Sequence, residues 1–145
     1  MEQRPNLRRA GVSLLALLAT MVGIGCNLQA RLYNLTTGEV TTARFTYGGS
    51  GRGKIQGTLS STEQGHGEYI TSARQPANWG SIYAAVYGSE GAAFGNSGSK
   101  SNQYGTAIVT GNKKTVLDCE YVTNSLVHGS GACTDNNGGR YKLIF

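Results

Sequence analysis

Beyond its first 26 residues the chain has no helix-period pattern of useful length; short runs rich in Val, Ile, Thr and Tyr alternate with clusters of Gly, Asn and Ser. That patterning predicts an all-β chain. The clearest unit is the opening hairpin, in which Ala30–Leu35 and Val40–Tyr47 flank the turn Thr36-Thr37-Gly38-Glu39, with Gly38 free to supply a positive φ. In its second strand Ala43, Phe45 and Tyr47 fall on one face and Thr42, Arg44 and Thr46 on the other, as a strand with one buried face requires.

Further strands are expected near Lys54–Ser60, His66–Ser72, Tyr104–Thr110, Thr115–Thr123, Gly131–Thr134 and Arg140–Phe145. The segment Ser81–Tyr87 is apolar on both faces and reads as a central strand covered on each side. Gly48–Gly53 and Asp135–Gly139 read as turns, and 88–103, mostly Gly, Ser, Asn and Ala, as a mobile surface loop. Eight or nine short strands with Gly-rich turns predict one antiparallel β-sandwich or small barrel. One echo runs through it. Gly53–Thr71 and Gly105–Thr123 are equally long and end in Glu68-Tyr-Ile-Thr71 and Glu120-Tyr-Val-Thr123. Either two hairpins are related by duplication, or strand composition alone produces the match.

The first 25 residues have another character. Arg4, Arg8 and Arg9 make a positive start, Ala10 to Ile24 form an apolar run, and the small residue Gly25 precedes Cys26, which is the layout of a cleaved secretory signal peptide. The run is about 15 residues, short of the roughly 20 that a spanning helix needs. Gly23-Ile24-Gly25-Cys26 resembles the lipobox of bacterial lipoproteins, which implies removal of residues 1–25, acylation of Cys26 by palmitate-class chains, and an anchored mature domain of residues 26–145. Several acyl chains hold a protein to a bilayer far more firmly than one. An aspartate after the cysteine would favour inner-membrane retention in that family, so Asn27 implies an outer-membrane, periplasm-facing protein. The mature segments Ala30–Glu39, Trp79–Tyr83, Gly129–Asp135 and Tyr141–Phe145 are similar to those of small proteobacterial lipoproteins, a resemblance that brings no activity with it.

With the leader removed, Arg4, Arg8, Arg9 and Glu2 are lost; 13 basic and 8 acidic residues become ten and seven, and the net charge falls from +5 to +3. Along the sequence the remaining cations are scattered, and no basic stripe with interleaved aromatics points to nucleic acid. A mature chain of this length is one domain with room for a real core. If Cys26 carries lipid, Cys119 and Cys133 remain as a pair in an exported protein, and a disulfide is the natural reading. A redox or zinc site would need a Cys-x-x-Cys pair or suitably spaced histidines, which the chain lacks.

No catalytic constellation stands out. Gly48–Lys54 nearly spells a phosphate-binding loop, but Ile55 replaces the hydroxyl that would hold magnesium and a strand follows where a helix should. His66 and His128 are isolated, and a triad drawn from His128 with Asp118 or Asp135 lacks a nucleophile elbow. Asp118 and Glu120 alternate along one strand and share a face, where solvation is the expected fate. Asp135–Gly139 is too short and too poor in carboxylates for a calcium loop. The residues left as a candidate ligand or partner surface are Trp79, Tyr83, Tyr87, Phe94 and Tyr104, since aromatics near loops favour interfaces; Trp79 as a cap on the core is the competing reading. The expectation is a non-enzymatic envelope lipoprotein, with neither cofactor nor metal, serving as an accessory or interaction module for an envelope protein. The alternative is a barrel or sandwich binding a lipid, glycan or peptide.

Overall fold

Period-two alternation gives every strand an inward and an outward edge, and here the inward edges are buried together by rolling one sheet shut. The computed structural model describes residues 27–88, 103–125 and 128–145. Its strands are β1 (Asn27–Asn34), β2 (Val40–Tyr47), β3 (Arg52–Ser60), β4 (Glu63–Ser72), β5 (Gln103–Gly111), β6 (Val116–Ser125), β7 (His128–Asp135) and β8 (Arg140–Ile144). They lie in sequence order, each antiparallel to the next, and β8 returns to pair with β1 from Arg31↔Ile144 to Asn34↔Tyr141. The fold is a closed eight-stranded barrel.

Leu32, Ile55, Leu59, Val109, Leu117 and Leu143 fill the half of the interior that lies below Phe45, leaving a void of about 20 Å³. That is room for about one water, in an apolar setting that gives a water no partner. Cys119 and Cys133 face each other across β6 and β7 inside the barrel and form a disulfide. Counting strands along the sequence places this bridge between the seventh and the eighth; it joins the sixth to the seventh, because Ser81–Tyr87 is not a strand.

That segment is α1 (Ser81–Tyr87), a seven-residue helix packed on the outside of the wall. Tyr83 and Val86 share one face of the helix, and with Trp79 from the turn just before it they cover Tyr104 and Ala132. Gly80 precedes the helix with no side-chain cap of its own. Glu120 supplies the acceptor from β6: its carboxylate receives the amides of Gly80 (2.9 Å), Ile82 (3.0 Å) and Tyr83 (3.3 Å), and the Ser81 hydroxyl (3.3 Å). Glu120 is therefore only 4% exposed. The expected solvation of the Asp118/Glu120 face holds for Asp118 alone, since the helix amides replace water around Glu120. The hydroxyls of Tyr83 and Tyr87 donate to the Ser130 and Gly131 carbonyls and fasten the helix to β7.

Four short turns close one end of the barrel. In the first, Asn34 Oδ1 accepts the amides of Thr36 and Thr37, and Gly38 takes φ +76°. Buried Glu63 accepts the Lys113 amide (2.9 Å), the Thr115 amide and the Thr115 hydroxyl (2.7 Å), which pins the β5–β6 turn. Asp135 accepts the Asn137 and Gly139 amides and the Tyr141 hydroxyl. Burial alone would raise both carboxyls; the hydrogen bonds to their ionised forms outweigh it and hold both below the usual carboxylate range.

Because both groups titrate lower folded than unfolded, the stability they contribute is complete above the unfolded carboxylate range and is lost as pH falls through their folded values. Urea unfolding should accordingly shift to lower midpoints as pH is taken from about 6 to about 3. A Glu63→Gln, Asp135→Asn variant should be weaker at the upper pH and less sensitive to acid. Parallel acid dependence in the two proteins would show that these carboxyls do not carry the effect.

Candidate functional site

Among the described residues the other end of the barrel is open. A cavity of about 650 Å³ lies there, walled by Leu28, Phe45, Tyr47, Tyr69, Tyr121 and Phe145, with Asn27, Thr71, Ser72, Gln103 and Thr123 as its polar members. This volume falls within the ~300–1,000 Å³ of small-molecule sites. Phe45 lines both the cavity and the packed void beneath, so it stands at the boundary between them. Its ring centroid is 5.3 Å from Tyr69, 5.0 Å from Phe145 and 6.1 Å from Tyr121, and Tyr121 lies 5.3 Å from Phe145. Tilted and edge-on contacts of this kind hold rings in place. The cavity rests on a rigid aromatic group.

The two sequence echoes explain how these rings fit. Gly53 is directly opposite Tyr69 in the β3–β4 hairpin, and Gly105 directly opposite Tyr121 in the β5–β6 hairpin. A Cβ at Gly53 would meet the Thr46 carbonyl oxygen first and stand 2.5 Å from the Tyr69 ring, and one at Gly105 would meet the Tyr121 ring closer still. Each glycine leaves the space its partner's ring occupies. The repeat thus has a packing reason: it places a large ring against a bare backbone at the same inward register of two hairpins.

The phenols are neutral donors and acceptors. Burial pushes the Tyr121 hydroxyl up to about 12 and also raises that of Tyr69. Tyr121 OH and Thr71 Oγ1 are 2.7 Å apart, and Tyr121 OH also points to the Ile70 carbonyl. The cavity wall contains no Asp, Glu, His, Lys, Arg or Cys among the described residues. What it offers is an apolar, uncharged chamber with amide and hydroxyl groups near its opening.

The residues singled out as a surface lie elsewhere. Trp79 (8% exposed), Tyr83 and Tyr104 are buried between α1 and the outer wall, Tyr87 is half exposed beside them, and Phe94 lies outside the described residues, as does Cys26. His66 and His128 are exposed on β4 and β7. Among the described residues no group of three or more His, Cys, Asp or Glu could hold a metal ion, and no helix is long and apolar enough to cross a membrane. The Gly48–Gly53 link is a turn whose Gly48 and Arg52 amides bond to the Arg52 and Gly49 carbonyls, so these donors are not presented to a phosphate.

The cations, scattered in sequence, converge on one wall. Lys142 lies opposite Tyr33, two positions from Arg31; Arg31 lies opposite Thr42, two from Arg44; Lys54 lies opposite Thr46, two from Arg44 on the other side. Such diagonal neighbours are about 7–8 Å apart. With Arg140 and Arg52 at its ends, the ribbon crosses the outer faces of β8, β1, β2 and β3, all six side chains are exposed, and none of those outward positions holds a carboxylate. Glu68, opposite Lys54 on β4, is the first anion met.

The Gly/Tyr fit is testable by a double-mutant cycle. Gly105→Ala should destabilise by about 1–3 kcal/mol through overpacking, and Tyr121→Leu in the same chain should recover part of that loss. Strictly additive effects in chemical denaturation would show that the two residues do not compete for the same space. No protein-family model matches the chain, and no curated protein and no solved structure matches it.

Proposed function

We propose that this chain is a lipid-anchored, periplasm-facing binding protein of the outer membrane, whose barrel takes the apolar body of a small amphiphile through its open end. The observation that carries the reading is the 650 Å³ chamber walled by Leu28, Phe45, Tyr69, Tyr121 and Phe145. An apolar surface of that kind, open to water, gains free energy when an apolar ligand covers it. Asn27, Gln103, Thr123 and Ser72 would meet the ligand's polar head, and the uncharged wall favours a head that is neutral or stays at the rim. Binding is favoured over catalysis because, among the described residues, no side chain lining the chamber has a carboxyl, imidazole, amine or thiol to act as base, acid or nucleophile near neutral pH. The aromatic group around α1 supports partner recognition less, since Trp79, Tyr83 and Tyr104 are occupied in packing the helix.

The neutral apolar fluorophore N-phenyl-1-naphthylamine is a suitable probe. Its emission should rise on mixing with the protein and fall again as a monoacylglycerol is added. Leu28→Trp, which fills the chamber from its partly buried wall, should weaken both ligands by about tenfold or more, equivalent to about 1.4 kcal/mol, while the far-ultraviolet circular dichroism stays that of the parent. Unchanged affinity in a folded Leu28→Trp protein would remove the chamber as the site. Anchoring has its own check: the parent chain should incorporate labelled palmitate in cells and sediment with membranes, and Cys26→Ser should do neither. Equal membrane recovery of an unlabelled parent would refute the acyl anchor.

A further inference from the structure

We infer that the open end of the barrel is also a docking surface for an anionic phospholipid bilayer, with Tyr47 and Ile70 entering the interface and Arg44, Arg52 and Lys54 meeting lipid phosphates. This goes beyond the binding chamber and does not depend on whether the chamber is filled. Tyr47 is 60% exposed at the end of β2 and Ile70 is 49% exposed near the end of β4. Between them, at the start of β3, Arg52 lies directly opposite Ile70, and Gly53 directly opposite Tyr47. Lys54 and Arg44 follow on the outer faces of β3 and β2 as the upper end of the basic ribbon. The rim therefore combines an exposed phenol on β2 and an exposed aliphatic side chain on β4 with three cations on β2 and the intervening β3.

Charge and apolarity together select the partner. A phosphate polymer such as a nucleic acid would be served by the cations alone and would leave Ile70 in water. A bilayer surface satisfies both, since tyrosine rings settle at headgroup depth, aliphatic side chains enter the acyl boundary, and each Lys or Arg gains from anionic headgroups. The closed end also carries exposed apolar residues, Leu35, Val40 and Val116, with Arg140, Lys113 and Lys114 near them, but there the partly exposed carboxylate of Glu39 stands beside Leu35 and Val40, whereas the described rim at Tyr47, Arg52 and Lys54 meets its first carboxylate only at Glu68. Docking by the rim would also turn the chamber mouth toward the lipid.

Depth-dependent quenching reads this out. Full-length chains carrying Ile70→Trp, which lies outside the chamber wall, or, as the far-end control, Leu35→Trp are mixed with vesicles of brominated phosphatidylglycerol or brominated phosphatidylcholine, and the buried Trp79 supplies a common background. Emission from the indole introduced at the rim should be quenched by the anionic vesicles, with little quenching of the far-end indole and little by phosphatidylcholine. Arg44→Glu, Arg52→Glu and Lys54→Glu together should weaken the response by at least about tenfold. Raising ionic strength from about 0.1 M to about 1 M, which shortens the screening length from ~10 Å to ~3 Å, should do the same. Equal quenching at both ends, or quenching at the rim indifferent to lipid charge and to the three reversals, would overturn the inference, because attachment by the N-terminal segment alone produces that result. Charge-dependent binding of a single-stranded oligonucleotide without lipid quenching would overturn it in favour of a nucleic acid. Naphthylamine binding is a separate readout, so failure of the chamber reading and failure of rim docking are distinguishable.

Discussion

Pairing of β8 with β1 is the constraint on which the rest of the structure depends. It removes both sheet edges, which would otherwise present a row of unpaired amides and carbonyls. It also fixes the radius. An eight-stranded barrel is wide enough for its own side chains or one small ligand and no more, so every inward residue competes with those opposite it for the same space. The glycines at 53 and 105 are the answer to that competition, since each opposes a tyrosine. Where aliphatic side chains meet, the interior closes on itself; where large rings stand off against bare backbone, room is left at the mouth.

The helix follows from what closure cannot do. The chain leaves β4 at Ser72 and enters β5 at Gln103, and α1 lies on the described part of that passage. Seven residues of helix are too few to be stable alone, and α1 relies on the wall: Glu120 receives its first amides and two tyrosine hydroxyls donate to β7 carbonyls. A carboxylate suits that place, because the free amides of a helix start carry partial positive charge. The aromatic rings of Trp79, Tyr83 and Tyr104, outside the barrel, are spent on this contact.

The alternation of Ala43, Phe45 and Tyr47, the turn at Gly38 and the Asp135–Gly139 hairpin can be read directly from the chain, because each is set by neighbours in sequence. So can the Cys119–Cys133 disulfide. Ser81–Tyr87 misleads because so short an apolar run satisfies both periods; Tyr83 and Val86 on one face and the flanking Ala84 and Ala85 are the helical signal, and they count only once Glu120 is known to lie at the helix start. The chamber is invisible in the sequence for a different reason. It is defined by which rings share a level of a closed barrel, and that depends on register across strands as far apart as β2 and the end of β8. The Gly53/Gly105 echo holds this information in outline, since its repeating Gly and Tyr are the facing pairs.

The basic ribbon obeys the same logic. Arg31, Arg44, Lys54 and Lys142 are spread along the sequence, yet antiparallel register converts them into diagonal neighbours. Turn length then decides which end of the barrel can be used. At the closed end the four connections are short, and two of them are tied down by Glu63 and Asp135, whose carboxylates consume the nearby amides. At the other end the connections include the long passage of 73–102, and among the described residues no inward carboxylate draws the strands together. An end that is not pinned from within is the one that can admit a guest, and its rim carries the upper end of the cationic ribbon together with the exposed Tyr47 and Ile70. The asymmetry between an end with four short turns and an end whose three connections include the passage of 73–102 therefore bears on where the barrel opens, and the register of β2, β3 and β4 fixes what stands around the opening.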